Sequence, residues 1–129
     1  MAGFSITYPL GWGGTPSGSG RPGESNFLRL APERKTGRET SMNVLLMGTQ
    51  APKTEEARAG TFQGQPASYS ANRGKRDWYW RVQFQRDANW YQITLVSPIE
   101  LEVEKGDYWP YINSFRLEKP MTPATMPLE

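Results

Sequence analysis

The chain has 129 residues, the size of a single domain with its own core, and its modest 36% hydrophobic content is offset by five Trp, six Tyr and five Phe. Its 15 basic and 13 acidic residues leave a net charge of +2, a near balance that argues against a dedicated polyanion binder. With no Cys and no His, disulfides, thiolate nucleophiles, Cys/His zinc sites and imidazole acid–base chemistry are excluded.

Phe4-Ser-Ile-Thr-Tyr-Pro9 alternates apolar and polar residues as an edge-capable strand does, then turns on Gly11 and places Trp12. Residues 11–25 are dense in Gly, Pro and Ser and read as a flexible surface loop. No Lys-Ser or Lys-Thr follows them, so their glycines make no phosphate cradle. Asn26–Pro32 reads as a short strand, and 33–40 as a charged turn. Met42–Gly48 is a nearly continuous apolar run, the pattern of a central strand covered on both faces. Thr54–Arg58 fits one helical turn stopped by Gly60, and Thr61–Asn72 an irregular or bulged strand.

The clearest element is a β-hairpin over 78–86 and 90–96. Trp78, Trp80, Val82 and Phe84 share one face with the returning Tyr91, Ile93 and Leu95, and 87–89 makes the tight connection. Residues 99–106 alternate apolar residues with glutamates and suit a strand or an extended loop. Asp107 has the character of a helix N-cap. Pro110 falls in the first turn, and Tyr108, Ile112 and Phe115 recur at helical spacing. Residues 114–118 complete the pattern as a last strand. The expected core comprises Phe4, Ile6, Trp80, Val82, Phe84, Ile93, Leu95, Ile112 and Phe115. Residues 1–119 make one domain, and 120–129 a Pro-rich tail or linker.

Four segments in this order resemble the PsbP-like superfamily, the family of the photosystem II extrinsic protein and its bacterial relatives. They are Phe4-Ser-Ile-Thr-Tyr-Pro9 with Trp12, Gly64-Gln-Pro-Ala67, Tyr91-Gln-Ile-Thr-Leu95 and Tyr111-Ile-Asn-Ser-Phe-Arg-Leu117. The resemblance implies an α+β fold. Its parts are an antiparallel sheet of about six or seven strands, a short C-terminal helix and little other helix, forming a PsbP-like sandwich. It also implies a non-enzymatic binding, assembly or chaperone-like module, and it transfers no catalytic or metal-binding residue. The chain departs from the family where a longer covering helix is usual, having only 54–59 there.

Three side-chain groups invite a function. Arg73, Lys75 and Arg76 lead into Trp78-Tyr-Trp80, the basic and aromatic vocabulary of single-stranded nucleic-acid platforms. Alternation, however, buries Trp78 and Trp80 and leaves only Tyr79 and Arg81 outside. Glu100, Glu102 and Glu104 supply hard oxygen donors, but without the spacing of a calcium loop. A charged strand face that discourages edge pairing explains them equally well. Ser5, Ser68 and Ser97 have no His to activate them and no Gly-x-Ser-x-Gly elbow; a Ser–Lys pairing stays open.

The leading expectation is a non-enzymatic protein-interaction or accessory domain of a larger assembly, with no metal and no cofactor. Its candidate contact strip is the hairpin's outer face of Tyr79, Arg81, Gln83, Gln85, Trp90, Gln92 and Thr94, extended by Arg73, Lys75 and Arg76. The alternative is a small-ligand or single-stranded nucleic-acid module using loop 73–81. No apolar run approaches membrane-spanning length, and no signal-peptide pattern opens the chain. A soluble protein is expected, either cytoplasmic or exported with its targeting segment absent from this chain.

Overall fold

The structure, a computed structural model, describes residues 4–18, 26–33, 39–48, 57–86 and 89–117. Its centre is a seven-stranded, wholly antiparallel sheet. In chain order the strands are β2 (Trp12–Gly18), β3 (Asn26–Pro32), β4 (Ser41–Gly48), β5 (Arg58–Phe62), β6 (Gln65–Arg73), β7 (Trp78–Arg86) and β8 (Asn89–Ser97). Their spatial order is β2-β3-β4-β8-β7-β6-β5. A separate two-stranded ribbon joins β1 (Phe4–Ser5) to β9 (Arg116–Leu117). One short helix, α1 (Trp109–Ile112), follows a 3-10 turn at Val103–Lys105.

Strand alternation and register sort the side chains into two faces. Val82 lies opposite Ile93, which lies opposite Val44 in turn. The row behind it runs Trp80, Leu95, Met42, Leu30. These residues are buried, with Phe62, Phe84, Tyr69 and Tyr91 beside them. The C-terminal segment closes this inner face. Phe115 packs edge-on against Phe84 at 5.0 Å, and Trp109 against Phe62 at 6.0 Å and Trp80 at 6.3 Å. Tyr108 meets Trp12 at 6.0 Å. Gln63 fastens the segment down, its amide donating to the carbonyls of Asn113 (2.9 Å) and Phe115 (2.7 Å).

The α+β sandwich is therefore not what forms. Among the described residues the only α-helix has four residues and cannot make a helical layer; they form a mostly-β, antiparallel structure whose inner face is covered by an irregular strap with a single helical turn. Asp107 does not cap that turn. Tyr108 holds the N-cap position without a side-chain bond, while Pro110 does fall in the first turn.

Several expectations give way to pairing partners that a linear reading does not contain. The Gly-rich 12–18 stretch is an edge strand, because β3 supplies a full antiparallel ladder from Trp12↔Pro32 to Gly18↔Asn26. On an edge, glycine and proline are tolerated, since one side of the backbone needs no partner. The opening segment pairs only at Phe4 and Ser5, and it leaves Tyr8 and Leu10 exposed. Residues 61–72 are not one irregular strand. They are the end of β5, a two-residue turn at Gln63-Gly64 with φ of 55° and 80°, and β6. Positive φ at both turn positions matches the right-handed twist of the flanking strands.

β4 is central but unequally covered: Met42, Val44 and Leu46 are buried inside, while Asn43, Leu45 and Met47 are half-buried outside. Residues 99–106 form no strand but a coil with a 3-10 turn. Of the expected core, Trp80, Val82, Phe84, Ile93, Leu95, Ile112 and Phe115 are buried, and Ile6 packs partly buried against them. The Phe4 side chain, residues 54–56, Asp87, Ala88 and the expected tail 120–129 lie outside the described residues.

Candidate functional site

The strip expected on the outer face of the hairpin exists as a geometric unit. Tyr79↔Val96, Arg81↔Thr94, Gln83↔Gln92 and Gln85↔Trp90 are successive rows, and β4 adds Asn43 opposite Thr94 and Leu45 opposite Gln92. Beyond β4, the Arg81 row continues through Arg29 of β3 to Thr15 of β2. The ring contacts of Trp109 and Phe115 in the C-terminal strap are to the inner face, so these aromatic residues leave this outer surface to the sheet itself. Tyr79, Arg81 and Trp90 are half-buried rather than widely exposed, and Gln83 (5% exposed) and Thr94 (8%) are buried among their neighbours.

Polar bonding orders the strip. Gln83 Nε2 donates to Gln92 Oε1 at 2.7 Å, and Gln92 Nε2 donates to Thr94 Oγ1 at 3.0 Å. Arg81 donates to Asn72 Oδ1 at 2.7 Å and holds its guanidinium 5.3 Å from the Tyr79 ring centre. Asn43 Oδ1, in the row of Arg81, is buried and has no hydrogen-bond partner. An unsatisfied buried acceptor costs about 1–3 kcal/mol, and native proteins carry few of them. This face carries Arg29 and Arg81 near its centre, and the Glu33 side chain lies against Gly13 at its β2 margin.

The basic loop joins the strip at one point only. Gly74 N donates to the Asp77 carbonyl at 2.8 Å to close the β6–β7 turn, and the Tyr79 ring lies across Gly74. Arg73, Lys75 and Arg76 are exposed, with Arg73 falling on the inner-face side opposite Trp78. Trp78 and Trp80 are buried on that inner side, away from Tyr79.

The glutamate series stands on a coil with a 3-10 turn rather than on a strand, and Glu102 and Glu104 line one groove. Glu104 pairs with Arg58 at 2.7 Å, and no group of three His, Cys, Asp or Glu side chains fit to hold a metal ion occurs among the described residues. Of the serine candidates, Ser97 is fully buried. Its hydroxyl oxygen accepts from the Ile99 amide at 3.2 Å and from the Thr40 hydroxyl at 3.4 Å. Ser68 is half-buried on the outer face, and the Ser5 side chain lies outside the described residues.

Sequence reasoning missed Asn43 and Arg29 on the outer face, and Arg58, Tyr69 and Glu104 at the opposite edge. A lone Asn inside the apolar run 42–48 was the available signal for the first. The second group meets only through the fold. Arg58 of β5 stacks 4.8 Å over Tyr69 of β6, whose hydroxyl donates to the Thr61 carbonyl. Burial pushes the Tyr69 phenol above the ordinary tyrosine range, the Glu104 carboxylate adds to the rise, and Arg58 opposes it.

Because the folded state holds that proton more tightly than the unfolded chain, the stability it contributes is complete below about pH 10. It is lost as pH rises through the raised value. Thermal melts between about pH 9 and pH 11 are expected to fall more steeply for the native protein than for Tyr69→Phe. Tyr8→Phe, an exposed control, should follow the native curve; if it flattens the decline as well, the effect is not specific to Tyr69.

No family model matches the chain, and no curated protein matches it in sequence.

Proposed function

We propose that this is a non-enzymatic interaction domain whose outer sheet face receives an acidic surface of a protein partner. The observation that carries the reading is the face itself, where Arg29 and Arg81 flank the Asn43–Thr94 pair and the Glu33 carboxylate stands only at the β2 margin. Around the buried, unpaired Asn43 acceptor it offers amides and a hydroxyl. Guanidinium groups and aromatic rings beside a desolvated polar row are the groups that dominate protein contacts, and the two central guanidinium groups steer an acidic partner. The resemblance to PsbP-like proteins, many of them accessory modules, points the same way.

A nucleic-acid platform fits less well. Tyr79 and Trp90 lie opposite Val96 and Gln85, so the rings stand roughly 20 Å apart at about 3.4 Å per residue. Successive bases cannot stack on rings so far apart, and Arg81 already covers one face of Tyr79.

The test is a photocrosslinking amino acid placed at Gln92, at Gln85 or, as a control, at exposed Arg58, in cells of the source organism. Protein adducts at the first two positions, lost with Arg81→Glu, are the expected result. Nucleic-acid adducts, or equal protein adducts at Arg58, would overturn the reading. Asn43→Val is expected to raise stability by about 1 kcal/mol, because it removes an unsatisfied acceptor. It should also weaken the crosslink at position 92, since a partner's donor would have satisfied that acceptor. A denaturant curve and the adduct yield measure the two effects separately.

A further inference from the structure

The opposite edge of the sheet carries a second, independent feature. β6 runs from Gln65 to Arg73, but β5 pairs it only up to Arg58↔Tyr69, and the chain leaves the ladder at Ala57. The two-residue turn closes the Phe62↔Gln65 pair, so odd-numbered residues of β6 bond toward β5 and even-numbered ones toward β7. The Gly74–Asp77 bond on the β7 side obeys the same alternation. The N–H and C=O groups of Ala71 and Arg73 therefore point outward from the sheet, and no described residue pairs with them.

Behind this free edge lies an open groove of about 310 Å³. Ala71, Trp78 and Trp80 form its floor, and 101–105 its wall. A second compartment of about 210 Å³ adjoins it and shares Ala71, Trp80 and Glu104. The chain already fills this second compartment's chemistry with its own Arg58, which lies over Tyr69 and pairs with Glu104 at 2.7 Å. The first compartment repeats the plan, with an indole floor and Glu102 on the rim. No ion pair is formed by Glu102 among the described residues. Over 100–107 the chain carries four carboxylates, Glu100, Glu102, Glu104 and Asp107, against one cation, Lys105, which also lines the groove.

We infer that the Ala71–Arg73 edge takes up an extended segment of a partner protein as an added strand, with a basic side chain of that segment entering the groove beside Trp80 and Glu102. Backbone bonds to Ala71 and Arg73 supply affinity, and the groove supplies selection for a cation, since alternate side chains of an added strand face the same side. The cation lies on an aromatic floor beside a carboxylate, as the Arg58 guanidinium does one step along the same edge. This site is separate from the outer face and stands or falls without it.

The test uses the full chain and a short capped peptide alternating arginine with valine. Tryptophan fluorescence reads occupancy of the groove, and amide hydrogen exchange reads the edge. Saturable binding with new protection at the Ala71 and Arg73 amides is the expected result. The same peptide N-methylated on alternate residues should lose that protection and its binding. Glu102→Gln, an exposed substitution that leaves the core untouched, should weaken binding about tenfold, the effect of removing one charge-assisted contact.

Equal binding by N-acetylarginine amide or by the N-methylated peptide would show that no strand is added. Equal binding by a glutamate–valine peptide would show that the groove does not select a cation. Concentration-dependent protection of Ala71 and Arg73 without peptide would assign the edge to a second copy of this chain. Any of these results overturns the inference.

Discussion

Phe84→Ala is expected to cost about 3–5 kcal/mol, the range for deleting a fully enclosed aromatic ring. Phe84 is fully buried at the point where three elements meet. Its ring lies 4.7 Å from Phe62 of β5, 5.8 Å from Tyr91 of β8 and 5.0 Å from Phe115 of the C-terminal strap. The Arg86 guanidinium, 4.9 Å above the same ring, donates to the Phe62 carbonyl at 2.9 Å and completes the lid on that side. Ala67 stands directly opposite on β6, so no large neighbour there can swing into the space. The residual cavity therefore adds to the lost transfer energy. In a domain of this size the loss corresponds to a fall of roughly 10–20 °C in Tm. Denaturant and thermal curves measure it; a loss below about 1.5 kcal/mol would mean that the ring cluster is not what holds the strap to the sheet.

The same cluster shows which parts of the molecule are readable in one dimension. Trp78, Trp80, Val82 and Phe84 announce their face because alternation needs only the strand itself, and the partner face of Tyr91, Ile93 and Leu95 follows from a tight connection. The helix stripe of Tyr108, Ile112 and Phe115 was legible for the same local reason, although only one turn of helix materialises around it. What stayed hidden depends on a distant partner. Trp12–Gly18 has the composition of a loop and becomes a strand only because β3 lies alongside it. The sandwich expected from the family resemblance would have needed a helical layer, and here a four-residue helix on an irregular strap covers the inner face instead. Tyr79, Arg81, Gln83, Gln85, Trp90, Gln92 and Thr94 were placed together correctly by alternation. The half-burial of Tyr79, Arg81, Trp90 and Gln92 and the burial of Gln83 and Thr94 were not legible, because burial depends on neighbouring elements. Asn43, at the centre of the outer face, and the Arg58–Tyr69–Glu104 clamp at the far edge required the strand order β4-β8-β7-β6-β5, which periodicity does not encode.

The two candidate surfaces differ in what supports them, and one substitution separates them. Gly106 sits between the 3-10 turn and α1. Its amide donates to the Val103 carbonyl at 3.2 Å, and its carbonyl accepts from Trp109 at 3.3 Å. Its backbone, with φ −101° and ψ −171°, is open to any residue. What forbids a side chain is space, because a Cβ would lie 2.4 Å from the Glu102 carbonyl oxygen, a main-chain atom that cannot rotate away. Gly106→Ala must therefore displace the 102–106 backbone, which is the wall of the edge groove and the lead into Trp109 and Ile112. A cost of about 1–3 kcal/mol is expected, as for overpacking elsewhere, together with a change in the near-ultraviolet signal of Trp109.

Peptide uptake at the Ala71–Arg73 edge should fall with it, while crosslinking from Gln92 on the opposite face should not change. Gly64→Ala supplies the contrast. It meets no atom within 4 Å, and its cost, about 1 kcal/mol, comes from placing a Cβ at a φ of +80°. That variant should lose stability without disturbing either surface. If Gly106→Ala proves as stable as the native protein and binds the peptide unchanged, the strap is not packed as described, and the groove it walls is not a site.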